Sequence, residues 1–307
     1  MRPTPMADTP AVPESRNFRL ALLMLVAGAM CIAFAPIFVR LADVGPVSVV
    51  AWRLGLSIPF ALFWWWQIRH RPVTPEGRRD GGRPGRFWLV VSGVLLAIDL
   101  ALWHISVHYT SVANSTFILN LAPIFVTIGA WMLFGETIGG GFALALVAAI
   151  AGAALLVRAS FDVSMRDLTG DLIALAAAVF YAGYQLSVKH CRKYYATAHI
   201  LAGTAIVTPL VLAPVIFLLD EKVIPSSLQG WVAVIGIALI CQVIGQGLIT
   251  SAVRHVRANL ASVVLLVQPV TAAWLAVLLF NEQITLLRLI GCALVLAGIV
   301  LARRSNR

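Results

Sequence analysis

The sequence predicts an all-α integral membrane protein of ten transmembrane helices, arranged as two inverted five-helix repeats. Three observations lead there. Of the 307 residues, 60% are hydrophobic and only 12% are charged, more apolar surface than a soluble core can hide. The apolar residues gather into runs of about 20, the length that crosses a hydrocarbon core. The two halves also repeat each other. A shift of 146 positions lays Pro123 on Pro269, Ala130 on Ala276, Leu133-Phe134 on Leu279-Phe280, Glu136 on Glu282 and Gly152 on Gly298.

Ten runs qualify as spans: 18–39, 46–67, 87–108, 112–134, 139–158, 170–189, 197–219, 229–251, 258–280 and 285–302. Backbone groups in lipid must be satisfied internally and no barrel-like alternation is present, so these runs are helices. Residues 1–17 are rich in proline and polar side chains and read as a disordered cytoplasmic tail. The first run is too long for a signal-peptide core. At an offset of 149 its Ala27, Ala29, Ala33 and Val39 meet Ala176, Ala178, Ala182 and Val188, so it reads as a retained span. The expected organisation is a first repeat over 18–158, a connecting loop over 159–169, a second repeat over 170–302 and a basic cytoplasmic tail over 303–307.

Basic residues set the direction. With the longest loop inside (it carries Arg69, Arg71, Arg78, Arg79, Arg83 and Arg86), 17 of the 23 Lys and Arg fall inside and 5 outside, and Arg53 lies within a span. That asymmetry predicts an inner (plasma) membrane protein with both termini cytoplasmic. Five spans per half is an odd number, so the second half enters from the opposite face. The repeat is inverted, and Glu136 and Glu282 fall on opposite sides. Each is expected to be structural, favouring the dipole of the helix that follows it. The net charge of +10 is explained by this loop asymmetry rather than by nucleic-acid binding. Cys31, Cys191, Cys241 and Cys292 form no CxxC pair and read as small apolar residues. Gly141, Ala145, Ala149 and Ala153 form a small-residue stripe for close helix packing, within the subunit or in a homodimer.

The pattern resembles the drug/metabolite transporter superfamily and, within it, the EamA-type family. The residues that carry the resemblance are Ala35-Pro36-Ile37-Phe38-Val39-Arg40, Ala51-Trp52-Arg53, Asp99 with Leu102-Trp103, and Tyr109-Thr110-Ser111. Ala113-Asn114-Ser115 to Ala122-Pro123, closing on Glu136, and Ala258 to Pro269, closing on Glu282, complete it. The resemblance covers about residues 18–302. It implies a ten-helix inverted repeat around a central cavity and transport of small metabolites; it leaves the cargo open.

Ionisable residues inside a bilayer are costly and mark candidate sites. Asp99 lies about 12 residues into its span, roughly 18 Å deep; it reads as a substrate-amine or proton site, or as half of a structural pair with Arg53. Arg53 itself is read as a structural intramembrane charge. Trp103 follows at i+4 on the face of Asp99 and suits a cationic or aromatic ligand, or packs between helices. His104 reads as a packing histidine or a proton relay. Asn120, Tyr181, Gln185, Gln242, Gln246 and Gln268 recur at middle depth, with Tyr184 among them; they are expected to line a substrate cavity or to bond between helices. Gln242 and Gln246 share a face at i, i+4. Pro123 and Pro269 are expected to break their helices and free carbonyls there.

No enzyme, metal or cofactor motif stands out, and there is no nucleotide-binding domain. The expected function is secondary transport by alternating access, export of amino acids or related polar or amphipathic compounds by resemblance. Protons are the candidate coupling ion. The rivals are a membrane enzyme acting on a lipid or isoprenoid, whose only acidic cluster would be Asp162, Asp167 and Asp171, and a receptor or assembly subunit without transport.

Overall fold

A computed structural model describes residues 14–68, 82–110, 115, 118–157, 165–280 and 286–305. Among them every regular element is helical. The helices are α1 Glu14–Ile32, α2 Ala35–Leu41, α3 Pro46–Gly55, α4 Ile58–Ile68, α5 Gly82–Tyr109, α6 Ala122–Phe134, α7 Gly140–Val157 and α8 Met165–Cys191. After them come α9 Thr197–Leu218, α10 Leu228–Gly236, the π-helix α11 Ile237–Gln246, α12 Gly247–Ala252, α13 Ala258–Val264, α14 Val267–Phe280 and α15 Leu286–Ser305.

Among the described residues six segments are long and apolar enough to cross a membrane: Asn17–Val39, Pro46–Gln67, Gly85–Ser106, Leu168–Cys191, Thr197–Leu218 and Leu228–Ala252. Ala122–Phe134, Gly140–Leu155 and Ala258–Ala272 are shorter apolar helices. Their outer faces keep large apolar side chains exposed, among them Leu210, Phe217, Met132 and Leu278, as lipid-facing helices do. Two expectations shift at the ends. Helix α1 starts at Glu14, so residues 14–17 are helical rather than tail, and α8 starts at Met165, inside the expected linker. Residues 1–13, the loop arginines from Arg69 to Arg79, Ser111–Asn114, Asp162 and Glu282 lie outside the described residues.

Glycine approaches reveal the pairing directions. A Cβ on Gly170 would stand 2.7 Å from the Thr110 nitrogen, and one on Gly85 would stand 3.0 Å from the Tyr195 hydroxyl. Helices α5 and α8 therefore run antiparallel. A Cβ on Gly298 would stand 2.7 Å from the Ala145 carbonyl, and one on Gly152 would stand 2.7 Å from the Gly291 carbonyl. Helices α7 and α15 pack equally tightly, and Ala145, Ala149 and Ala153 are buried between them. The small-residue stripe is thus used within the subunit.

These contacts define two ends. One holds Asp43, Thr110, Gly170 and Lys222; the other holds Gly85, Glu136, Lys189 and Tyr195. At the first end Asp43 Oδ2 accepts from the Ser226 nitrogen (2.9 Å), the Ser226 hydroxyl (2.7 Å) and the Ser227 nitrogen (3.0 Å), and pairs with Lys222 at 3.3 Å. The Ser226 hydroxyl, above all, holds the Asp43 carboxyl below the usual carboxylate range. Glu221 caps α3, accepting from the Val47 nitrogen at 3.2 Å and the Ser48 nitrogen at 2.8 Å.

At the second end Gly135, with φ of 65°, ends α6 in a left-handed turn and turns the chain toward Glu136. Glu136 does not serve the helix that follows it in sequence. Its carboxylate accepts from Lys189 Nζ (2.7 Å) and from the nitrogens of Ala258 (3.0 Å) and Asn259 (3.3 Å), so it caps the distant α13. The helix N-terminus it favours is chosen by packing rather than by chain order.

Candidate functional site

Three helix starts converge on one cavity. Pro36 lies in the first turn of α2 and Pro123 in the first turn of α6, and Pro269 is the third residue of α14. A proline is tolerated there because its missing N–H would have lacked an intrahelical partner. Each helix restarts after a two-residue turn, at 33–34, 120–121 and 265–266. All three prolines line a cavity of about 150 Å³, walled also by α5, α8 and the end of the π-helix.

The polar lining consists of Arg53, Asp99, Trp103, Asn120, Tyr181, Tyr184, Gln185, Gln246, Ser262 and Gln268. Leu96, Leu100, Leu265 and Leu266 form an apolar counterpart. Gln246 Nε2 donates to the Tyr184 hydroxyl at 2.8 Å, and Tyr184 stacks on Tyr181 with ring centroids 6.3 Å apart. Tyr181 meets Gln268 across the cavity. Asp99 is only 2% exposed, and its Oδ1 has no hydrogen-bond partner among the described residues; nor has Trp103 Nε1. A buried carboxylate oxygen without a donor is costly, so this wall is built to receive one.

Of the residues singled out by sequence, Asp99, Trp103, Asn120, Tyr181, Gln185, Gln246 and Gln268 line the cavity together, with Pro123 and Pro269. Two do not. His104 brings Nδ1 to within 2.6 Å of the Leu100 carbonyl and packs edge-on against Trp103. Gln242 accepts from Arg53 Nε at 2.9 Å and faces a separate space of about 10 Å³ beside Ser57 and Trp64. Gln242 thus turns to α3 while Gln246 turns to α8, so the two glutamines serve different partners from one π-helical segment. Arg53 and Asp99 form no ion pair within 4 Å, yet both line the cavity.

Tyr184, also expected there, belongs to the lining too, and Pro36 and Ser262 belong to it without having been placed there by sequence. For Pro36 the signal was present: Ala35-Pro36-Ile37-Phe38-Val39 is identical to Ala122-Pro123-Ile124-Phe125-Val126. A cluster of cations occupies the Lys189 end. There burial, and secondly Arg254, pull Arg192 down to about 10. Burial also lowers His255, with Arg254 and Arg192 adding to the shift.

The EamA-like transporter family matches twice, over residues 19–158 and 168–304. An uncharacterised transporter of Archaeoglobus fulgidus is 26% identical, over 85% of this chain and 92% of that protein. A protein of Pseudomonas aeruginosa named as the pseudopaline exporter CntI is 24% identical, over 73% of this chain and 78% of its own length. A protein of known crystal structure superposes with a TM-score of 0.78 at 18% identity, covering 94% of this chain and 97% of that one; at that identity the likeness speaks to the fold. The double match spans nearly the whole chain, and the apolar helices give the multi-pass membrane architecture that such a protein needs. The chain belongs to the EamA-like transporter family.

Proposed function

We propose that this membrane transporter is a secondary transporter that exports small polar or amphipathic metabolites, amino acids and their relatives, by alternating access around the proline-lined cavity. The observation that carries the reading is Asp99, a buried carboxylate with an unpartnered oxygen in a cavity formed where helices break. Intramembrane charge and irregular backbone at such a depth belong to binding and coupling sites. Export is supported by the relative named as an exporter. An inner-membrane orientation with both termini cytoplasmic is supported by the gathering of Lys189, Arg192, Lys193, Arg254 and Arg257 at one end. Asp99 is the better proton carrier, because His104 lies off the cavity lining.

The test is flux in proteoliposomes containing the purified full-length chain, with a metabolite panel offered from either side under an imposed pH gradient. Asp99→Asn is expected to abolish transport or its pH dependence while the protein stays folded and membrane-inserted. Wild-type flux with an unchanged pH response would remove Asp99 from the mechanism.

A further inference from the structure

Two chain turns lie side by side at the Lys189 end, one after α8 (residues 192–196) and one after α12 (residues 253–257). They are laced together by Lys189 Nζ, which donates to the Val256 carbonyl at 3.0 Å, and by the Thr197 and Ser251 hydroxyls, 3.0 Å apart. The charged side chains on them are all basic. Lys193, Arg254, His255 and Arg257 are exposed, and Arg192 is half-buried. These groups bear on one another: Arg254 on Arg192, both of them on His255, and Lys193 and Arg257 on Lys189. Like charges so placed repel. The Glu136 carboxylate at this end is already committed to Lys189 and to the α13 amides. Arg192 Nη1 donates to the Tyr195 carbonyl at 2.6 Å, and its Nε is buried without a hydrogen-bond partner among the described residues. A buried charged donor without an acceptor is costly. What remains is the Nε edge of the guanidinium, a fork that grips phosphate oxygens through parallel bonds.

The depth and the neighbours of these turns fit a lipid. Aromatic rings collar them: Trp88 and Tyr194 pack on His190 with centroids 4.9 and 5.6 Å away, and Trp65 Nε1 donates to His199 Nε2 at 2.6 Å. Trp and Tyr gather at the level of lipid headgroups. Lys193 Nζ stands 5.1 Å from the centroid of the Phe134 ring, at the end of α6. The residues just before Phe134, Met132 and Leu133, are exposed, so lipid-facing apolar surface runs up to the cation. A phosphate held above acyl chains matches that order of charge over apolar surface. A zwitterionic headgroup brings an ammonium of its own into a field already positive. An anionic headgroup brings only the charge that is lacking.

We infer that the two turns form a binding site for the headgroup of an anionic phospholipid, with Arg192, Lys193 and Arg254 as its phosphate-binding cations and the Met132 and Leu133 surface of α6 beside its acyl chains. None of the residues lining the proline-lined cavity belongs to either turn, so the site is separate and does not depend on the transport reading. A bound headgroup adds a further tie between the two turns, and occupancy stabilises that end of the fold.

The experiment is lipid titration of the purified full-length chain in mild detergent. Native mass spectrometry resolves the lipid-bound species, and the melting temperature is followed in parallel. The probes are phosphatidylglycerol, phosphatidylcholine, inorganic phosphate and glycerophosphoglycerol, the headgroup without its chains. Wild type is expected to bind its first phosphatidylglycerol at least about tenfold more tightly than phosphatidylcholine, and to lose much of that margin as salt is raised. Its melting temperature should rise with phosphatidylglycerol alone. Lys193→Gln and Arg254→Gln change exposed side chains; each should weaken phosphatidylglycerol about fivefold and leave phosphatidylcholine unchanged. Arg192→Gln should weaken it at least as much, and if that variant does not fold the two exposed ones carry the test. Matched charge removals, Lys222→Gln at the opposite end and Arg304→Gln at the end of α15, should stay within about twofold of wild type. The inference is overturned if the two lipids bind alike, or if the Lys222 and Arg304 variants lose as much as the turn variants, binding then following net charge alone. It is equally overturned if glycerophosphoglycerol or inorganic phosphate raises the melting temperature as phosphatidylglycerol does, the site then being one for a soluble anion.

Discussion

Replacing Glu136 with alanine tests the anchor at the Lys189 end. Glu136 and Lys189 have side chains only 9% and 17% exposed, with Nζ 2.7 Å from Oε1. Removal deletes that pair and two bonds to the first amides of α13, at 3.0 and 3.3 Å. It also leaves a largely buried ammonium with the Val256 carbonyl, at 3.0 Å, and the Phe134 ring, 5.7 Å from its centroid, but no counter-charge. Breaking one side of a buried pair costs about 3–5 kcal/mol, and a lost N-cap about 0.5–2 kcal/mol. The two losses share one carboxylate, so they overlap, and about 3–5 kcal/mol is expected for Glu136→Ala. Glu136→Gln keeps an acceptor oxygen but no charge and should cost roughly half as much. Equilibrium unfolding of the purified chain in mixed micelles measures both. A double-mutant cycle with Lys189→Met should return a coupling of about 1–3 kcal/mol. Glu136→Ala within about 0.5 kcal/mol of wild type, or an additive cycle, would refute the anchoring role.

Glu221→Ala removes the bonds that cap α3 and should destabilise by about 1–2 kcal/mol in the same unfolding assay; no change would assign the capping to water. Asp43 gives a pH signature. Its folded pKa is depressed, so its contribution is full above the unfolded carboxyl value of about 4 and is lost as pH falls through the lower folded value. Hydrogen exchange of the Ser226 and Ser227 amides should therefore accelerate, relative to the intrinsic rate, as samples are acidified below about pH 4, and Asp43→Asn should flatten that response. Gly298→Val drives a side chain into the Ala145 carbonyl and the Ala149 methyl, a clash expected to cost about 1–3 kcal/mol. Gly140→Val, which meets nothing within 4 Å, should be close to neutral; equal melting temperatures for the two variants would contradict the packing.

Apolar run length made the six long apolar spans legible, since it is a property of the chain read in order. Seven of the nine residues proposed for the cavity meet there because polar side chains at middle depth in lipid have few other places to go. The rest depended on partners distant in sequence. Arg53 reaches Gln242 across 189 positions, and Glu136 reaches Ala258 across 122; nothing local specifies either choice. The π-helix of α11 lies where α1 approaches closely, a Cβ on Gly28 standing 2.8 Å from the Gly245 carbonyl. A hydrogen-bond register tied to such a contact cannot be read from residue spacing. Pro36 has no proline counterpart in the second half; its pentapeptide repeats instead within the first half, at 122–126.

A two-fold chain here holds a one-sided site. The repeat supplies matched breaks at Pro123 and Pro269, but the position that matches Pro36 at an offset of 149 is Gln185, inside the uninterrupted α8. One side of the cavity is therefore a restarted helix, and the opposite side is a continuous one that carries Tyr181, Tyr184 and Gln185. Irregular backbone is tolerated at membrane depth only where protein or a cavity meets its freed polar groups. Here the continuous helix presents hydroxyl and amide groups to that same cavity. The charged pair is equally one-sided, since Arg53 and Asp99 both belong to the first repeat. Matched prolines can serve two interchangeable conformations, but a ligand has a fixed arrangement of charges. The symmetry is kept where the helices must bend, and it is broken where the ligand must be recognised.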